Sequence, residues 1–170
     1  MAHSAPSRAD AGAATTATKD VLRFRQFLTR GGPGPHAYVI LLGMDTFDAP
    51  ALFRALRKGF AYRAFEHLRR NSTLSAERVM ALIGVPRRTL SRRKRDGRFL
   101  PDESDRLLRV SRLFGLALQL FEGDQAAATD WLETAQPALG GMAPLDLAGT
   151  EAGAREVERL MARLEHGVFS

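Results

Sequence analysis

Apolar residues recur along most of this chain at intervals of three and four, the spacing that lines one face of an α-helix, and little of it alternates with period two. Residues 21–29 read as a short helix, ended by the breaker Gly31-Gly32-Pro33-Gly34-Pro35. Residues 38–42 are an apolar run that reads as either a strand or a buried turn. Pro50 stands at the start of a helix over 49–58, stopped by Gly59. A second helix is expected over 60–70, with Phe60, Ala64, Phe65 and Leu68 on one face. Ser75 is a good N-cap, and Ala76, Val79, Met80, Leu82 and Ile83 give the stripe of a helix that ends at Gly84. Pro86 takes a first-turn position of a helix running to about Arg95, and Asp96-Gly97 ends it. Pro101, Asp102 and Glu103 open a long helix to about Phe121, in which Arg106, Arg109 and Arg112 share a face away from the apolar one. Gly123 breaks it. A shorter helix over 124–134 carries Trp131, a turn spans 137–141, and a single helical turn covers 144–148. Thr150 caps a last helix to about His166, with Ala154, Val157, Leu160, Met161 and Leu164 inward. The fold class is all-α.

One pair of these helices has a more specific shape. Helix, glycine turn and second helix over 75–98 match a helix-turn-helix, with Val79, Ile83, Val85 and Leu90 at the internal packing positions. The second helix has only Leu90 as an obvious core residue; its other positions are Arg, Lys, Ser and Thr, which bond phosphate oxygens or base edges. Two positions depart from the pattern. Met80 stands where a small residue usually lets the helices approach, and Arg93 where an apolar residue often packs. Arg87, Arg88, Thr89, Ser91, Arg92, Lys94, Arg95 and Arg98 are the expected DNA contacts. Arg87, Thr89 and Ser91 lie near the helix start, where base edges are met, and Arg95 and Arg98 at the end that meets phosphate. Such proteins read two half-sites through a two-fold axis, so a homodimer is expected. Helices 49–58 and 60–70, with Phe53, Leu56, Phe60 and Phe65, serve either as core or as the dimer surface, and the need of a short helix-turn-helix for packing partners favours core.

Charge sharpens this picture. Residues 87–98 carry seven basic side chains and one acid, a net +6; residues 1–86 hold twelve and six, and residues 99–170 hold six and twelve, a net −6. The basic part calls for a polyanionic partner, and the acidic part must have another task.

Candidate chemistry is sparse. There is no cysteine, which removes disulfides, thiolate metal sites and cysteine nucleophiles. His3, His36, His67 and His166 lie far apart, and none forms a local metal-ligand pair. Asp102, Glu103 and Asp105 resemble paired carboxylates, yet they start a helix, where acids complement the dipole, and capping is the favoured role. No frame for Ser-His-Asp chemistry is present. The chain therefore reads as a binding protein rather than an enzyme, with no cofactor and no metal. No run of apolar residues suits a membrane helix, and the Ala-, Ser- and Thr-rich start reads as a flexible tail, with the cytoplasm as the expected location.

The string TLSRRKRDGRFLPDESDRLLRVSRLF (89–114), followed by WLETAQPALGGMAPLDLAGTEAGAREVERLMARLEHGVFS (131–170), closely resembles the Xre-type antitoxins of bacterial RES–Xre toxin–antitoxin pairs, which share the Xre/MbcA/ParS toxin-binding domain. Its landmarks are Pro101-Asp-Glu-Ser-Asp-Arg-Leu, the Trp131-Leu132 pair, Pro137-Ala-Leu-Gly-Gly141, Pro144-Leu145, Thr150-Glu151-x-Gly153-Ala154 and Glu165-His166-Gly167, and the likeness covers about residues 49–170. The resemblance implies three segments: a flexible tail and poorly defined segment over 1–48, an Xre-like helix-turn-helix domain over 49–100, and a connecting helix with a C-terminal toxin-binding domain over 101–170. It also implies a RES-domain toxin that depletes NAD, an antitoxin that covers the toxin's active site, and repression of the shared operon by the complex, on the nucleoid when operator-bound. The toxin-facing surface is then expected to draw on Gly140, Gly141, Pro144, Leu145, Arg155, Glu158, Arg159, Arg163, Glu165, His166, Phe169 and Ser170. Ala143 stands where the family usually has Thr or Ser, which removes a cap, and Met142 where a basic residue is common. The alternative is a stand-alone dimeric helix-turn-helix transcription regulator whose C-terminal half dimerises or senses a ligand; a neighbouring RES reading frame would separate the two.

Overall fold

Side-chain caps start five of the helices, each by the same bond. The Ser, Thr or Asp oxygen before the helix accepts from the backbone N–H three residues on: Thr18 from Val21, Asp48 from Ala51, Ser75 from Arg78, Asp124 from Ala127 and Thr150 from Gly153. Each such cap contributes about 1 kcal/mol. The computed structural model of the protein describes residues 17–167. In chain order the helices are α1 (Lys19–Arg30), α2 (Ala49–Lys58), α3 (Arg63–Ser72), α4 (Ala76–Ile83), α5 (Arg87–Asp96), α6 (Pro101–Leu120), α7 (Gln125–Glu133), α8 (Pro144–Leu147) and α9 (Glu151–Glu165). Two 3-10 segments, Ala37–Leu42 and Pro137–Leu139, join them. Among the described residues there is no β-strand, as the all-α reading requires.

The long helix α6 is the spine. Its apolar face buries Leu107, Val110, Leu113, Phe114, Ala117 and Leu118. Onto it pack α2, α3 and α4 toward its start and α7 and α9 toward its end, with the Ala37–Leu42 segment between them. The domain-scale consequence is that one helix serves both halves of the chain. A second tie is electrostatic: Arg78 of α4 pairs with Asp146 of α8 at 2.7 Å.

The segment before residue 49 is more deeply built in than the sequence suggests. Val21 and Phe24 of α1 and Val39, Ile40, Leu41 and Leu42 of the 3-10 segment are all core. The apolar run over 38–42 is thus neither strand nor simple turn. It is buried on every side, so it shows no helical periodicity in the sequence. Buried Asn71 of α3 fastens it: its side-chain amide donates to the Leu41 carbonyl at 2.8 Å and to Asp20 Oδ2 at 2.9 Å, and the Thr18 hydroxyl meets its side-chain oxygen. The tail before residue 17 lies outside the described residues.

Two further expectations change. The helix expected from Phe60 begins at Arg63 instead. Residues 60–62 lie beside 97–99 about an isolated antiparallel bridge between Ala61 and Arg98, joined by Tyr62 N–H to Gly97 O and Phe99 N–H to Phe60 O, both 2.9 Å. This backbone pairing outcompetes a first helical turn, and the Ser104 hydroxyl accepts from the Phe60 amide at 2.8 Å. Phe60 and Phe65 are core as expected, but Phe53 is 60% exposed.

Gly59 shows how tight that junction is. Its φ is +82°, and a Cβ there would stand 2.0 Å from the Phe99 carbonyl oxygen. Gly59→Ala is expected to cost about 1–3 kcal/mol from backbone strain and the forced separation of the two segments. A urea denaturation midpoint equal to that of the parent protein would contradict this.

Candidate functional site

The helix-turn-helix forms where the sequence places it. Gly84 ends α4 in the left-handed conformation, φ +63°, and its geometry lets Val85 N–H reach the Met80 carbonyl at 3.0 Å. Val79, Ile83 and Val85 are buried, and Leu90 packs against the same core. Met80 is buried too, so its bulk is accommodated at the helix crossing. Pro86 occupies the N-cap of α5 rather than its first turn.

Around α5 the basic residues divide into an outer and an inner set. Arg87, Arg88, Ser91, Arg92, Lys94 and Arg95 are exposed, and Thr89 is half-buried. Arg88, Arg92 and Arg95 follow at four and three residues, so they form one outward row. Arg87 reaches Glu77 at 2.7 Å, but both side chains are well exposed. Such a surface pair is worth at most about 1 kcal/mol and yields readily to a phosphate. The Ser91 hydroxyl donates to the Arg87 carbonyl within the helix at 3.1 Å.

Arg93 turns the other way. It fills the apolar slot of the motif as a buried cation, with Nε 2.7 Å and Nη2 2.9 Å from the two carboxylate oxygens of Glu103. Glu103 also accepts from the Leu100 amide at 2.8 Å, so it caps α6 while neutralising Arg93. Burial by itself would raise the Glu103 pKa; the Arg93 hydrogen bonds, the Leu100 amide and the Arg93 charge outweigh it and hold the carboxyl below its ordinary range. The capping role expected of the acids at this helix start is realised by Glu103, with a buried ion pair added. Sequence spacing hid that pair, because its partners lie on two different helices.

Beyond Gly97, half-buried Arg98 donates to the Gly59 carbonyl at 2.5 Å. The backbone pairing of 60–62 with 97–99 brings Lys58 and Arg63 to the same place. Nothing local in the sequence marked those two residues.

The cations of α6 and α9 behave differently. Arg106 pairs with Asp102, Arg109 with Asp105 and Glu151, and Arg112 with Glu151 and Glu158. On α9, Arg155 pairs with Glu151 and Arg159 with Glu156. Glu158 is only half-buried and is held by Arg112 at 2.6 Å; Glu165 accepts from Gln119 at 2.6 Å. Burial raises and the Arg155 and Arg109 hydrogen bonds lower the Glu151 pKa, and the arginines prevail.

Of the residues expected to face a toxin, Gly140, Gly141, Arg155, Arg159, Arg163, Glu165 and His166 are exposed. Pro144 and Leu145 are not: they open α8 and are buried where it packs on its neighbours. Ala143 stands at the N-cap of α8 without a side-chain bond, as its identity requires. Trp131 is half-buried with its ring 6.3 Å from Phe121, and so belongs to the packing of α7 on α6. Phe169 and Ser170 lie outside the described residues. No helix among the described residues is long and apolar enough to cross a membrane.

Comparison with known proteins assigns families to both halves. Residues 51–112 match the antitoxin Xre-like helix-turn-helix domain, and residues 116–167 match the antitoxin Xre/MbcA/ParS C-terminal toxin-binding domain. The boundary between the two falls inside α6. A protein named Antitoxin Xre from Yersinia enterocolitica serotype O:8 / biotype 1B is 36% identical over 130 residues, covering 76% of this chain and 88% of that protein. Another of that name from Photorhabdus laumondii subsp. laumondii is 32% identical over 130 residues, with the same coverage. A third, from Pseudomonas putida, is 33% identical over 84 residues, or 49% of this chain and 52% of that protein. The outward basic helix, the two domain matches in chain order and the identity across three quarters of the length together place this chain in the Xre antitoxin family, with an Xre-like helix-turn-helix followed by a toxin-binding domain.

Proposed function

We propose that this chain neutralises a cognate RES-domain toxin that depletes NAD, by covering the toxin's active site with its C-terminal domain, and that as a cytoplasmic homodimer it represses its own operon through α4 and α5. The observation that carries the proposal is the sorting of charge along the chain. Helix α5 offers an outward row of arginines, whereas residues 99–170 carry net −6, and most of their cations are already tied to carboxylates. A site that consumes NAD must accept two phosphates and is expected to be basic, so the acidic half suits a fast approach to it. The exposed Gly140-Gly141 turn and the outer residues Arg155, Arg159, Arg163, Glu165 and His166 supply the contact surface, with Phe169 and Ser170 beyond α9.

Deleting residues 165–170 is expected to abolish rescue of cells expressing the neighbouring RES-domain protein, while binding of the purified variant to operator DNA persists. Cellular NAD should fall in the unrescued cells. Full rescue by the truncated chain would remove the C-terminal end from the toxin surface, and growth arrest without NAD loss would remove the RES activity from the proposal.

A further inference from the structure

The positive surface of this protein does not end with α5. The loop between α2 and α3 is zipped to the residues after α5 by the Tyr62–Gly97 and Phe99–Phe60 backbone bonds. It therefore places Lys58, Arg63 and Arg98 around one shallow groove of about 150 Å³. Lys58 and Arg63 are exposed. Among the described residues none of the three is ion-paired, whereas Arg69, next along α3, is held by Glu66, and Arg23 on α1 by Asp45. Arg98 commits one N–H to the Gly59 carbonyl and keeps the rest of its guanidinium for the groove. Beneath the three cations the floor is apolar, formed by Leu42, Met44, Ala55 and Phe60.

Free cations are the costly feature here. Grouping three like charges around one small groove is unfavourable in the isolated chain, and the fold imposes it through backbone bonds rather than by chance rotamers. A rim of cations over an apolar floor matches a nucleic-acid backbone, which offers phosphate oxygens beside the apolar face of deoxyribose. Through Arg98 the groove adjoins the C-terminal end of α5, the end expected to meet phosphate.

We infer that Lys58 and Arg63, outside the α4–α5 pair, join Arg98 at its end in a second DNA-phosphate clamp that grips the backbone flanking the operator and adds affinity without reading sequence. The inference rests on the DNA-binding reading of α5, and the test separates the two. Binding is measured by fluorescence anisotropy across a salt series, using the duplex upstream of the chain's own reading frame and a random-sequence duplex of equal length. Lys58→Ala/Arg63→Ala should weaken both by a similar factor, about 30-fold near physiological salt, and make the salt slope shallower by about two, since each phosphate contact contributes about 0.9 to it. Arg23→Ala/Arg69→Ala removes the same charge from ion-paired positions and should leave the slope unchanged. An unchanged slope in the Lys58/Arg63 variant, beside loss of binding in Arg92→Glu/Arg95→Glu, overturns the clamp and leaves the helix-turn-helix standing. An equal effect of the control pair overturns it as well, since net charge alone would then account for the loss. Failure of the parent protein to bind either duplex overturns the underlying reading and the clamp together. Both substituted residues are exposed, and an unaltered thermal transition verifies that the variant is folded.

Discussion

Glu103→Ala is expected to destabilise the chain by about 3–5 kcal/mol, since it strands the buried Arg93 cation. Total stability of a domain is about 5–15 kcal/mol, so this single change removes much of it. Two losses combine. The Arg93 guanidinium, 7% exposed, loses both carboxylate bonds, and the Leu100 amide at the start of α6 loses its acceptor. Asp96, 3.8 Å from Arg93 and largely exposed, is too distant to replace Glu103. The corresponding double variant Arg93→Leu/Glu103→Leu should recover most of the stability, because a buried pair is often no better than apolar side chains of like volume. A urea double-mutant cycle measures the coupling directly. Additive losses in that cycle would show that the pair is not the source. Acid should act in the same direction. The folded-state pKa of Glu103 lies below its ordinary 4.5, so the stabilisation is complete above that value and is lost as pH falls through the lower folded value. Glu151, also lowered, adds to the same acid-side loss.

Arg92→Glu/Arg95→Glu is expected to reduce DNA affinity at least about a thousandfold near physiological salt. Each phosphate contact removed contributes about 0.9 to the salt exponent, and each glutamate introduces repulsion of similar size. Both arginines are exposed in the outward row of α5, and neither supports the core, so folding should be unaffected. Arg93 makes the contrast: it belongs to the same helix and charge run, yet its substitution should register in the denaturation midpoint. A variant that retained salt-sensitive operator binding would exclude this row as the DNA-facing surface. Toxin neutralisation by the double glutamate variant should persist, which separates the two roles on one chain.

The family could be read from short strings because its landmarks are local: helix starts, glycine turns and the Pro-Leu pair. The helix-turn-helix was legible for a similar reason. Its caps, its glycine and its four apolar positions lie within about one and a half dozen residues, and each follows a local rule. The orientation of individual charges was not legible. Arg93 sits among six other basic residues within 87–98 and cannot be told from them by type. Its burial depends on Glu103, which belongs to another helix. The same holds for Pro144 and Leu145, expected at a partner surface but buried where α8 packs on its neighbours.

By itself the sequence determined the all-α class, the position of the basic helix-turn-helix and the membership of the Xre antitoxins, since periodicity, caps and family strings act over a few residues. Tertiary structure alone decided that Val21, Phe24 and residues 39–42 complete the core, that Arg93 faces inward while Arg92 and Arg95 face out, and that Lys58 and Arg63 stand beside Arg98. Those outcomes depend on which segments meet around α6. Burial and ion pairing are properties of the meeting surfaces, and residues far apart in the chain share them only once it has folded.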